Sequence, residues 1–122
     1  MFHRKVYEFQ QKALDIFEDN SAFNLEKTWN DLMTGKASFE ESKIKIRDGM
    51  EALNAKLKLQ HELISKMTDF VRYEKLANED IIAIQVISML VQNKMDRDQN
   101  VLSKIQDTLN NVLHELEDGT ER

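Results

Sequence analysis

Residues 81–116, IIAIQVISMLVQNKMDRDQNVLSKIQDTLNNVLHEL, decide the fold. Apolar residues at Ile81, Ile84, Val91, Met95, Leu102, Ile105, Leu109, Val112 and Leu116 follow one alternating spacing of three and four, broken only by Ser88 and Asp98. That is the period of one face of an α-helix, sustained too long for a strand.

Working outward, the same seam recurs twice. Ile46, Met50, Leu53, Leu57, Ile64, Met67 and Val71 carry it in the middle third, with Gln60 the polar exception. Phe2, Val6, Phe9, Ala13, Ile16 and Phe23 carry it in the first third, with Asn20 the polar member. The spacing predicts helices over 2–33, 39–76 and 79–117, the first breaking or kinking at Asp19-Asn20-Ser21, where three poor helix formers adjoin. Gly35 after Met33 and Thr34 reads as a helix stop. Ser38-Phe39-Glu40-Glu41 reads as a capping box, Asn78 as a cap before Glu79 and Asp80, and Gly119 as the last stop. Connections this short make sequential helices antiparallel. The predicted fold is all-α: a single elongated antiparallel three-helix bundle, or a long coiled-coil-like hairpin with an additional N-terminal helix.

Composition agrees. The 122 residues include no Cys, no Pro and three Gly. Disulfides and thiolate chemistry are thereby excluded, and a turn-rich β architecture is disfavoured. The N-terminus lacks the apolar core of a signal peptide. The longest apolar-rich run, 81–91, is half the length of a membrane span. The expectation is a soluble, cytoplasmic protein.

Formal charge is −2 over 1–33, +2 over 34–77 and −5 over 78–122, so a basic middle helix faces an acidic third one. A tight turn near Leu76-Ala77 places Asp98 opposite Lys56, predicting that this pair accommodates the seam carboxylate. Asn20, Gln60, Ser88 and Asp98, with Lys56, are read as polar seam positions able to fix register at some cost in stability. The same register brings Phe23 onto Gly49, which would make room for its ring. The segment 96–100 reads as continuous helix because the seam keeps phase across it; the alternative is that Met95 ends a helix and Asp96-Arg97-Asp98-Gln99-Asn100 is a loop.

The chain carries no recognisable catalytic or cofactor constellation. Asp96, Asp98, Asn100 and Asp107 imitate calcium-loop spacing, but Val101 stands where the sharp turn needs Gly and Lys104 where a ligand belongs. His3, His61 and His114 lack the Glu-x-x-His and His-Glu-x-x-His spacings of metal sites. Three scattered Gly cannot form a phosphate loop or a nucleophile elbow. The sequence thus predicts a protein that is not an enzyme and takes no cofactor, metal or small-molecule substrate. The basic cluster Lys36, Lys43, Lys45, Arg47, Lys56 and Lys58 is interleaved with Glu40, Glu41, Asp48 and Glu51, which dilutes the field a nucleic acid would feel.

What remains is surface. Between Ile81 and Val91 a second apolar stripe, Ile82, Val86, Met89 and Leu90, runs beside the seam, more than one neighbouring helix can cover. Aromatic residues concentrate in the first helix. The expected interface residues are Ile82, Val86, Met89, Leu90, Phe2, Tyr7 and Phe17, and the expected partner is another protein or a second copy of the chain. The predicted function is a protein–protein interaction module working through helix–helix association, as an adaptor, assembly factor, inhibitor or chaperone. The alternatives are a homo-oligomeric secretion- or phage-associated structural component and a dimeric regulatory nucleic-acid-binding protein.

Overall fold

The computed structural model describes the backbone of residues 1–120 and the side chains of residues 1–112. Four α-helices account for nearly all of it: α1, Arg4–Glu18; α2, Ser21–Met33; α3, Phe39–Tyr73; and α4, Asn78–Thr120. α1 and α2 follow one another as a single broken arm. α3 returns antiparallel to that arm, and α4 runs antiparallel to α3, hence parallel to α1. At 1.5 Å per residue, α3 is about 52 Å long. The all-α bundle read from the periodicity is the architecture observed.

The arm breaks where three poor helix formers adjoin. Asp19 is extended (φ −71°, ψ 127°), and Asn20 leaves the helical region before α2 begins. Two non-helical residues reset the phase of the buried face. An unbroken helix would carry the stripe Val6, Phe9, Ala13, Ile16 on to Asn20 and Phe23. Instead α2 buries Ala22, Leu25 and Trp29, and Phe23 is left 69% exposed. Phe23 therefore does not reach Gly49. A Cβ built on Gly49 would lie 3.0 Å from Leu25 Cδ1, so the missing side chain makes room for Leu25.

The helix ends are closed locally. After α2, the Lys36 amide donates to the Asp31 carbonyl at 2.8 Å and the Gly35 amide to Leu32 at 3.2 Å. Gly35 takes φ 77°, the left-handed conformation such a stop requires. Ser38 Oγ accepts from the Glu41 amide at 3.2 Å, opening α3. At α4, Asn78 is the first helical residue rather than the cap; the Ala77 carbonyl accepts from the Asp80 and Ile81 amides. Residues 96–100 are helical. α4 also continues through Gly119 to Thr120 rather than stopping there.

The core divides in two. One cluster gathers Ala22, Leu25 and Trp29 from α2, Ile46, Leu53 and Leu57 from α3, and Leu102 and Ile105 from α4. The other gathers Val6, Phe9 and Ala13 from α1, Leu63 and Met67 from α3, and Ile84 and Val91 from α4. Each half of the broken arm thus owns one cluster, and the level between them is polar. Burying each of the Val, Leu, Ile, Phe and Met side chains among them contributes roughly 1.5–3 kcal/mol before chain entropy is counted, so the bundle is held chiefly by these two clusters.

Candidate functional site

Two features of the bundle are not explained by packing alone. The first is the polar layer between the clusters. Gln60 and Asp98 are buried (1% and 4% exposed), and Lys94 nearly so. Lys94 Nζ donates to Asp98 Oδ2 at 2.8 Å, and Gln60 Nε2 donates to the same oxygen at 2.9 Å. Asp98 is therefore not paired with Lys56, as the tight-turn register required. The reason lies in residues 74–77. Glu74 is extended (φ −100°, ψ 146°), and the connection carries the chain beyond the end of α3 before α4 starts. Register shifts by about one helical turn, placing Gln60 opposite Asp98.

Lys56 instead points at the break in the arm, where its Nζ is 3.9 Å from Asp19 Oδ1. Ser21 Oγ donates to the same Asp19 oxygen at 2.8 Å. Among the described residues, Asp19 Oδ2 and Gln60 Oε1 are buried without a hydrogen-bond donor. Both residues line a cleft of about 270 Å³ between α1 and α3, whose rim carries Lys12, Asp15, Glu62 and Lys66. The layer is thus a charged, imperfectly satisfied plane at the level where the arm bends. Such a plane opposes sliding of the helices, because any other register takes the Gln60 amide away from Asp98, which keeps only Lys94 of its own helix.

The other polar positions behave differently. Asn20 is exposed beside α2 and makes no side-chain cap bond, so it does not set register. Ser88 is half-buried in the groove between α3 and α4, beside Met67 and Val71. Among the described residues no ion pair joins α3 to α4, so the charge contrast between them is not spent on direct contacts. Lys94 escaped the sequence reading, although a Lys four residues before a seam Asp is a recognisable helical pair.

The second feature is an uncovered apolar face. Ile84 and Val91 turn into the core, while Ile82 (60%), Val86 (45%), Met89 (55%) and Leu90 (44%) face out. Phe17, Phe23 and Leu90 line one open groove between the arm and α4, whose other walls are polar and charged, Glu26, Asn93, Asp96 and Arg97 among them. On α1, Lys12 and Asp15 line the cleft against α3. Helical spacing sets Tyr7, Gln10, Leu14 and Phe17 on the opposite flank, toward α4. Tyr7, Leu14 and Phe17 are exposed, and Phe2 packs edge-on against Tyr7 with ring centroids 6.3 Å apart. From Ile81 to Asn93 no residue is charged. α1 and α4 therefore present an apolar face that is uncharged along α4 from Ile81 to Asn93 and bounded by charged side chains, Glu26, Asp96 and Arg97, at its α2 end. Leu14 and Phe23 belong to this face and were missed in sequence; Leu14 is findable seven residues after Tyr7, Phe23 only once the phase break is known.

The histidines have local settings. His3 Nδ1 accepts from the Lys5 amide at 3.0 Å, and its ring meets Phe70 edge-on at 5.2 Å. The His3 amide donates to the buried Asp80 carboxylate at 2.8 Å, tying the start of α1 to the start of α4. His61 is exposed beside the α3–α4 groove, and the His114 side chain lies outside the described residues. Among the described residues no three His, Asp or Glu side chains converge as a metal site would require. None of the helices, over the same residues, is long and apolar enough to cross a membrane. Comparison with protein-family models, curated proteins and solved structures finds no match to this chain.

Proposed function

We propose that this protein works by protein–protein association through the face shared by α1 and α4, as a non-enzymatic interaction module. The observation that carries this reading is the uncovered apolar face itself. Tyr7, Leu14 and Phe17 on α1, Phe23 at the start of α2, and Ile82, Val86, Met89 and Leu90 on α4 are each exposed, with no charge between Ile81 and Asn93. The largest apolar patch of a typical monomer is about 300–600 Å². Eight such side chains, four of them on one helix, offer on the order of 800 Å², the share of one partner in a standard interface.

Two further observations support association over chemistry or nucleic-acid binding. In the buried polar layer, the Lys94 ammonium and the Gln60 amide nitrogen both donate to Asp98 and so help hold the bundle. On α3, Lys43 pairs with Glu40 and Arg47 with Asp48, which neutralises part of the basic cluster a nucleic acid would need.

The test is a photo-crosslinking amino acid placed at Met89, compared with the same group at Lys45 on exposed α3, in cells producing the protein. Adducts from position 89 and none above background from position 45 are expected. Equal adduct formation at both positions, or none at 89, would overturn the reading.

A further inference from the structure

We infer that the occupant of this face is a second copy of the chain, joined by antiparallel pairing of α4 with α4 across a two-fold axis. The inference rests on the association reading above and names its partner.

The argument begins with spacing along the exposed side of α4. Glu79, Val86, Leu90 and Arg97 are separated by seven, four and seven residues, which keeps all four on one stripe of an α-helix. This order reads the same in both directions about residue 88. Turned end over end onto a copy of itself, the stripe sets Val86 on the partner's Leu90 and Leu90 on the partner's Val86. It also sets Glu79 against the partner's Arg97 and Arg97 against the partner's Glu79. Both charged residues are exposed, and among the described residues neither has an ion-pair partner within its own chain. A parallel pairing would instead set like on like at both ends.

Symmetry imposes a further requirement that the face meets. In a two-fold contact each patch meets itself, so charges inside it tend to oppose their own kind. A chain of net charge −5 has few surfaces without that problem. The stretch from Ile81 to Asn93 is one. Asp80 and Lys94, which bound it in sequence, are buried. The exposed charges that continue the Val86–Leu90 stripe at its two ends, Glu79 and Arg97, are of opposite sign. The flanking arm fits the same arrangement. His3 lies level with Asp80, so Phe2 and Tyr7 sit at one end of the face, while Phe17 and Phe23 open a groove at the other. Antiparallel pairing brings the Phe2–Tyr7 end of each copy over the Phe17–Phe23 groove of its partner, where offset or edge-on aromatic contacts are favourable. The two copies then bury about 1,600 Å² in total, enough for a specific dimer.

The test uses sedimentation equilibrium at low ionic strength on wild type, Glu79→Arg, Arg97→Glu, and an equimolar mixture of the two variants, with helicity checked by circular dichroism. Wild type should dimerise. Each single reversal opposes like charges at both ends of the contact and should weaken the dimer about tenfold, an effect that added salt diminishes. In the mixture every Arg meets a Glu again, so a heterodimer should recover affinity to within about threefold of wild type. A wild type monomeric at about 100 μM, a concentration at which even a weak micromolar dimer is populated, overturns the inference. So does a dimer indifferent to both reversals, or a mixture that fails to recover. The two readings stay separable: a monomer whose position 89 still forms adducts with other chains removes only the second copy, and a monomer without adducts removes both.

Discussion

Removing Asp98 should unsettle this bundle more than removing any exposed carboxylate. Asp98→Ala leaves the Lys94 ammonium and the Gln60 amide buried with no acceptor, since both donate to the one oxygen Oδ2. Hydrogen bonds to charged groups contribute about 1.5–3 kcal/mol each, and breaking one half of a buried ion pair costs about 3–5 kcal/mol. Lys94 is 8% exposed as a residue, so its long stem can carry the ammonium toward water and recover part of the loss. That places the expected cost at the lower end, about 3 kcal/mol, or a fall in Tm of about 12 °C for a domain of this size. The companion variant is Gln60→Leu with Lys94→Met and Asp98→Leu, which replaces the whole layer by apolar side chains of similar volume. It should be neutral or more stable by up to about 4 kcal/mol. Urea unfolding of both, at one protein concentration so that association does not enter the difference, reads the result. Loss below about 1 kcal/mol for Asp98→Ala, or a triple variant as damaged as the single, would refute a buried, paired layer.

The remaining predictions concern places where local geometry fixes the sign. Gly49→Leu drives a side chain into Leu25, whose Cδ1 already lies 3.0 Å from an ideal Cβ; denaturant unfolding should show a loss of about 1–3 kcal/mol. Gly35→Ala meets no atom within 4 Å but must hold φ 77°, so a backbone cost of about 1 kcal/mol is expected in the same assay. Ser38→Ala removes the acceptor of the Glu41 amide and should lower stability by about 1 kcal/mol, as hydrogen exchange at the first turn of α3 would show.

Three helical stretches, the weak point in the first where the structure makes two helices of it, their order and the uncovered stripe were legible in the sequence because each depends on local composition and period. Ile81, Ile84 and Val91 against Ile82, Val86, Met89 and Leu90 is a matter of 3.6-residue spacing within one element. What escaped depends on geometry between elements. Two non-helical residues, Asp19 and Asn20, rotate everything after them, exchanging Phe23 for Leu25 at Gly49. Four residues at 74–77 move α4 by about a turn, exchanging Lys56 for Gln60 at Asp98. A seam carries no record of such offsets, because a three–four spacing looks the same after a shift of one turn. Of the polar positions chosen, Gln60 and Asp98 belong to one layer for a reason visible only in the fold: they stand level with the break in the arm. The α1–α4 face needed the fold as well, since Tyr7 and Leu14 join Val86 and Leu90 only when α1 and α4 are known to run parallel.

The absence of Cys from the chain gives the central claim a clean measurement. A single thiol at Met89→Cys, on the apolar face, or at Lys45→Cys, on exposed α3, becomes the one site in the chain that a maleimide reagent labels. If the α1–α4 face is covered when the protein is at work, labelling in intact producing cells should be about tenfold slower at position 89 than at 45, a burial of roughly 1.4 kcal/mol, and the two rates should converge in denaturant. Equal rates in the cell would contradict it.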